Sequence, residues 1–437
     1  MAQDVLIRLA KTILDFNWAG GYTRPGPRLY PHQWSWDSAL IAIGYARYDQ
    51  DRALEELGHL FESQWKNGLL PHEVHDPHLT GESSGGLGFW NAGSNPRAPD
   101  DRQTSGEVQP PVHATAALHV YRHAEDEAGA RAFLKEAFPK LREWHEYLHR
   151  ERDPEGEGLV YIRHPWESGM DNSPMWDQIL QRIQLEPGQV PSYQRGDLQF
   201  VPAEDRPLDT EYDRYAYLVK LFADRDYDEA RIRQDCPFLV QDALFNALLC
   251  RSDHDLAQIA HVLGEDPSPF KDWAGRIALA MNRKLWDEER ATYLSFDLVE
   301  SRPLRVYTTT GFLTLFAGVP DGKRARRMVE ALESPSYGLG DKSVKAVPSY
   351  DRYGYGYSRD RYWRGPVWIN VDWMLMHGLR RYGFEEQADH LRRTIVDLVQ
   401  NEGFHEYFDP ASGRGHGSGF FSWTAALLID VLMDEGR

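Results

Sequence analysis

The sequence predicts an all-α protein, an (α/α)6 barrel of two concentric helix rings with long lid loops over one end. Three observations lead there. Apolar residues recur at helical spacing through most of the 437 residues, in paired segments with short connections. Strand signals are few and no βαβ alternation is visible, which argues against a doubly wound sheet or a TIM barrel. Three long irregular stretches, 66–110, 164–206 and 335–365, are rich in Gly, Pro, Ser and aromatics. Loops of that length in a compact domain are usually functional or disordered, and their Trp, Tyr and Phe favour packed lids. No fixed-length repeat or low-complexity linker divides the chain, so one (α/α)6 domain over 1–437 is expected.

The elements follow in order. Residues 3–17 place Val5, Leu6, Leu9, Ile13 and Phe16 on one face, with Asp4, Arg8, Lys11, Thr12 and Asp15 between them. Ser35 is the expected start of the helix over 35–48, and Asp49 that of 50–65. Periodicity then predicts helices over 112–126, 129–151, 209–224, 227–251, 254–262, 268–286, 308–317, 321–333, 366–382, 384–400 and 420–434. The best strand candidates are 159–164 and 291–297.

Lys plus Arg number 49 and Asp plus Glu 67, a net charge of −18. An acidic surface repels nucleic-acid phosphates and anionic membranes, so neither is an expected partner. The N-terminal stretch is amphipathic and lacks the unbroken apolar run of a signal peptide, and nowhere are there 18 consecutive apolar residues. A cytoplasmic protein is expected. The two cysteines, Cys236 and Cys250, read as buried free thiols of a reducing compartment.

Four segments carry candidate chemistry. In HPWESGMDNSP (164–174), Trp166, Glu167, Asp171 and Asn172 surround Gly169. An apolar wall such as Trp166 raises a carboxyl pKa and keeps a proton in place, as a glycosidase acid requires. Equally, Asp171 fits as the cap of a helix starting near Ser173. In GFHEYFDPASGRGHGSGFFSWTAALLID (403–430), Glu406 precedes a Gly-rich loop and a buried helix. It suits activation of water at an anomeric carbon, or a solvated loop acid. In RLYPHQWSWDSALIAIGY (28–45), Tyr30, Trp34, Trp36 and Asp37 crowd a helix start. Aromatic faces would floor a sugar subsite, while Asp37 also suits the free N–H groups of that helix. In RDRYWRGPVWINVDWMLMHGL (359–379), Tyr362, Trp363 and Trp368 flank the turn Gly365-Pro366.

Other signals are set aside. His72, Glu73, His75 and His78 lack H-E-x-x-H spacing, and Pro71 and Pro77 argue against a shared helix face, so a lid loop is favoured over a metal site. Gly81-Glu82-Ser83-Ser84-Gly85 matches G-x-S-x-G without the strand–turn–helix that motif needs. Gly86 and Gly88 complete no dinucleotide fingerprint, because residue 91 is Asn.

Together the four segments resemble the trehalase and processing-α-glucosidase clan of (α/α)6 glycosidases. The resemblance is to glycoside hydrolase family 63, within it the mannosylglycerate and glucosylglycerate hydrolases, and runs from Tyr30 to Trp423 on HQWSWDSA, WESGMDNSP, YWRGPVWINVDW and HEYFDPASG…FSWTAAL. It implies an inverting α-glycoside hydrolase without metal or cofactor, with Asp171 as general acid and Glu406 as general base. It further implies a sugar subsite of Tyr30, Trp36, Asp37, Gln109, Trp166 and Trp368. The segment EDRPLDTEYDRYAYL (204–218) would hold a glycerate, with Arg206, Tyr212 and Tyr362 at its carboxylate, and Trp363 is a further expected substrate contact. For Arg206 the alternative is a surface ion pair with Asp205 or Glu211. The stretch before Tyr30 is too short for a β-rich N-terminal domain, which favours a small glycoside substrate. Trehalase or another α-glucosidase is the nearest rival. A sugar epimerase on the same toroid, relying on paired histidines, is more remote, as is a non-catalytic scaffold. Mannose against glucose stays open, as does the oligomeric state, with a homodimer as one reading.

Overall fold

The structure, a computed structural model, describes residues 3–79 and 90–434. Gly81 to Gly85, Gly86 and Gly88 therefore lie outside the described residues.

Among the described residues, twelve helices make the two rings. Six lie inside: α2 (Ser35–Tyr45), α4 (His113–Arg122), α9 (Ala243–Leu263), α11 (Thr314–Ala317, prolonged by a 3-10 turn over Thr309–Leu313), α13 (Ile369–Arg381) and α15 (Ser422–Met433). Each packs on the next, and α15 returns to α2 to close the circle. All 11 residues of α2 are buried, as an inner helix hydrophobic on every side requires. Outside lie α1 (Gln3–Asn17), α3 (Gln50–Phe61), α5 (Glu127–Glu151), α10 (Ser268–Lys284), α12 (Gly322–Glu333) and α14 (Glu385–Glu402). These bury one stripe only. On α1 it is Leu6, Ala10, Ile13 and Leu14, seated against α15. Between α5 and α9 the chain makes an excursion carrying α6 (Asp177–Arg182), α7 (Asp209–Asp224) and α8 (Glu229–Asp235). Apolar side chains from both rings merge into one core. The expected all-α (α/α)6 barrel is the observed fold.

Short antiparallel ladders tie the loops together: β1 (Gln33–Trp34) with β2 (Glu73–Val74), β3 (Val240–Gln241) with β6 (Phe296–Asp297) and β7 (Arg302–Pro303), and β4 (Trp286–Asp287) with β5 (Thr292–Tyr293). The longest joins β8 (His405–Phe408) to β9 (Gly415–Gly419), with a register shift between His405 and Tyr407.

The structure corrects several expectations. The helices expected over 227–251 and 254–262 divide elsewhere. The first stops at Asp235, because Pro237 cannot continue it. The second runs unbroken through Ser252-Asp253-His254, which looked like a polar break. Asp253 is instead wholly buried, its carboxylate 2.7 Å from His145 Nδ1 and 3.0 Å from His149 Nε2 on α5. Helix α4 ends at Arg122, and Asp126 caps α5 by accepting from the Gly129 N–H. Asp49 caps α3 as expected, whereas Ser35 is the first residue of α2 and turns its hydroxyl to His113 Nε2 at 2.9 Å. The strand expected over 159–164 reduces to one bridge, Ile162 to Val240, and 291–297 divides into β5 and β6. Cys236 and Cys250 are buried free thiols. No helix among the described residues is long and apolar enough to cross a membrane.

Candidate active site

The N-terminal ends of α2, α13 and α15, with the loops leading into them, surround a cavity of about 560 Å³. Helix N-termini offer free N–H groups and positive potential, which suits anionic and hydroxyl-rich ligands. Tyr30, Trp36, Asp37, Gln109, Trp166, Asp171, Arg206, Tyr212, Tyr362, Trp363, Trp368 and Glu406 all line it. Each of the three long irregular segments contributes a wall.

Aromatic faces form much of that wall. Trp363 and Trp368 stack in parallel with ring centres 3.6 Å apart, and Trp423 meets both Trp36 and Trp368 edge to face. Across the cavity Trp166 stacks on His72 and packs against Trp90, Tyr212 and Tyr215. Gln109 fixes the start of α2, its Oε1 accepting from the Trp36 N–H at 3.1 Å. Gly169 holds φ +71°, and a side chain there would run into the Trp36 indole.

Asp171, Glu406 and Asp37 are among the carboxyls that line this space. Burial pushes the Asp171 carboxyl up to about 6, against the opposing pull of Arg206 and of hydrogen bonding from the Tyr362 hydroxyl. Asp171 caps no helix: Ser173 caps the turn that follows, and the Asp171 carbonyl accepts from Tyr215 Oη at 2.7 Å. Glu406 sits on β8 and is 1 % exposed. Its Oε1 accepts from Tyr30 Oη at 2.6 Å, and its Oε2 from the Ser418 N–H at 2.9 Å. Burial raises its pKa as well, while Arg206, Tyr30 and that N–H hold it back. Asp37 in the first turn of α2 is pushed well up, first by burial and then by the Glu406 charge. The positive φ of Gly417, +68°, turns the β9 backbone under Glu406, where a Cβ would strike the carboxylate.

Arg206 is buried and pairs with neither Asp205 nor Glu211. Its Nε lies 3.2 Å from Asp197 Oδ2, and its Nη1 donates to Tyr30 Oη at 3.1 Å and lies 3.9 Å from Glu406 Oε1. The guanidinium stands 4.2 Å over the Tyr362 ring. Asp197 and Tyr193 also line the cavity; sequence reasoning missed both, although an acid near an arginine in a lid loop is a usable signal. It missed Trp423 and His72 as well. Glu167 has a different job from its neighbour Asp171. It takes both arms of Arg152, at 2.8 and 2.9 Å, and accepts from the Arg163 N–H at 2.8 Å. Burial alone would raise its pKa, but Arg152 and Arg163 outweigh burial and hold it at about 2. Glu167 therefore anchors the loop that presents Asp171.

Comparison with known proteins identifies the family. Residues 30–424 match the family model described as the mannosylglycerate hydrolase MGH1-like glycoside hydrolase domain. A mannosylglycerate hydrolase of Rubrobacter radiotolerans is 61% identical over 429 residues, covering 98% of this chain and 97% of that protein. A glucosylglycerate hydrolase of Mycolicibacterium hassiacum is 35% identical over 433 residues, covering 97% and 96%. The crystal structure of a family 63 mannosylglycerate hydrolase from Thermus thermophilus, in complex with Tris and D-glycerate, superposes with a TM-score of 0.90 at 41% identity, over 97% of this chain and 99% of that one.

Proposed function

The chain belongs to the mannosylglycerate hydrolase MGH1-like family of glycoside hydrolases, and from that premise we propose that it hydrolyses the α-glycosidic bond of mannosylglycerate, glucosylglycerate or both with inversion. Asp171 is the general acid and Glu406 the general base. The observation that carries this reading is a pair of buried carboxyls lining one cavity. Asp171, raised to about 6, keeps a proton to give. Glu406, beside Arg206 and accepting from Tyr30 and Ser418, is favoured as the carboxylate.

In the reaction Asp171 protonates the bridging oxygen as its bond to the anomeric carbon breaks. Glu406 takes a proton from the water that attacks the opposite face. The products are the β-sugar and glycerate. The stacked Trp363 and Trp368, with Trp36 and Trp423, floor the sugar, and Asp37 with Gln109 meets its hydroxyls. Arg206, Tyr212 and Tyr362 receive the glycerate carboxylate, a planar anion that suits a guanidinium fork. The step uses no metal or organic cofactor. A cytoplasmic location belongs to the same proposal, supported by two buried free thiols.

The test is to follow anomeric protons by NMR with mannosylglycerate, glucosylglycerate and trehalose supplied separately. Early β-anomer together with glycerate supports the assignment and names the sugar. An α-anomer rules out the inverting pair, and turnover of trehalose alone moves the chain to the trehalase branch.

A further inference from the structure

The two carboxyls of the site are joined by hydroxyls. Tyr30 Oη lies 2.6 Å from Glu406 Oε1 and 3.3 Å from Tyr362 Oη. Tyr362 and Asp171 line the same cavity, and the Tyr362 hydroxyl holds the Asp171 pKa down. Tyr362 reaches this place from a left-handed backbone, φ +39°. That conformation is strained for a bulky residue and persists where surrounding structure enforces it.

An inverting cycle leaves the protein with its proton on the wrong carboxyl. Asp171 has given one to glycerate, and Glu406 has taken one from water. One proton must travel from Glu406 to Asp171 before the next substrate can react, and both groups are buried. We propose that Tyr30 and Tyr362 form a relay that returns this proton along the wall of the site after each turnover. The proposal rests on the roles given above to Asp171 and Glu406.

The transfer balances. The Glu406 O–H bond breaks as a new Tyr30 O–H bond forms, and the former Tyr30 proton passes to Tyr362. The former Tyr362 proton passes to Asp171. Each phenol gains and loses one proton and ends neutral. Before transfer the Tyr30 hydroxyl must rotate, because it donates toward Glu406 in the resting arrangement. Burial holds both phenols far above their ordinary pKa, so no tyrosinate accumulates and the protons move together. Arg206, which donates to Tyr30 Oη and covers the Tyr362 ring, stabilises the partial negative charge that develops on each oxygen.

The test uses full-length Tyr30→Phe and Tyr362→Phe variants with mannosylglycerate or glucosylglycerate, whichever the wild type turns over. Single-turnover cleavage, with enzyme in excess, needs no proton return. Steady-state turnover needs it every cycle. In either variant we expect the steady-state rate to fall roughly tenfold or more below its own single-turnover rate, the scale of a lost proton-transfer group. Added imidazole or formate buffer should restore the steady state and leave the single turnover unmoved. A purely positional role for the hydroxyls lowers both rates in proportion with no buffer response, and that result overturns the relay. The two variants break one chain at different links, so either one that folds decides the matter. An α-anomer from the wild type overturns relay and inverting assignment together. A β-anomer with proportional losses overturns the relay alone.

Discussion

At the scale of single residues, the protonation states that the proposed roles require of the two carboxyls set the expected pH response. Asp171 must be protonated to react, and its raised value of about 6 means that activity falls as pH rises through that point. Glu406 must be ionised, and its raised pKa means that activity also falls as pH drops through its own value. The kcat/KM profile is therefore expected to be a bell whose basic limb descends near pH 6. A rate that climbs from pH 6 to 8 contradicts the assignment. Asp171→Asn is expected to cost roughly 10²–10⁴-fold in kcat and to abolish that basic limb. Asp171 and Glu406 stood out in the sequence as candidates, with a Trp and a turn beside one and a Gly-rich loop beside the other, but local composition left a helix cap and a solvated loop acid open, and only the family resemblance proposed their roles. Glu167 was not separable from Asp171 by composition. Only burial against Arg152, fifteen residues earlier in the chain, distinguishes a structural acid from a reactive one.

At the scale of elements, the β8–β9 hairpin holds Glu406 and the loop anchored by Glu167 holds Asp171, and each offers a test. Gly417→Ala would place a methyl group against the Glu406 carboxylate, in a backbone conformation that L residues avoid. We expect a loss of about 10²-fold in kcat, the scale of a small misplacement of a catalytic group, with the circular dichroism spectrum unchanged. Glu167→Gln removes one of the two buried carboxylates that pair with Arg152, leaving Glu229 with its Oε2 3.1 Å from Arg152 Nε, and is expected to lower unfolding stability in urea titrations by about 3 kcal/mol, the low end of the range for a broken buried pair. The pH dependence has a defined sign. The Glu167 pKa is lower folded, about 2, than unfolded. Its contribution is thus complete above the unfolded value of about 4.3 and is lost as pH falls toward 2. The wild type should therefore lose its advantage over Glu167→Gln in acid. Helices were the most legible elements, because one buried stripe leaves a periodic trace. The inner helix α9 was the exception. Its buried Asp253 takes partners on α5, and a polar residue satisfied by a distant element looks from sequence like a break.

At the scale of the whole molecule, ring closure depends on one close approach. Gly44 in α2 faces Ala426 in α15, with room for no side chain between the two backbones. Gly44→Val is expected to wedge this seam, costing at least about 1–3 kcal/mol of stability by overpacking and lowering the melting temperature. An unchanged melting temperature would show that the ring yields there. The paired helices were readable from local pattern. The identity of the helices that meet at the seam was not, because no local signal links residue 44 to residue 426. The site shares that long reach: the Tyr30 hydroxyl and the Glu406 carboxylate that it touches are 376 positions apart. Translation runs from the N-terminus at roughly 5–20 residues per second, so Asp171 leaves the ribosome well before Glu406. Through that interval a nascent chain carries one half of an active centre, and a chain released early carries no working half at all.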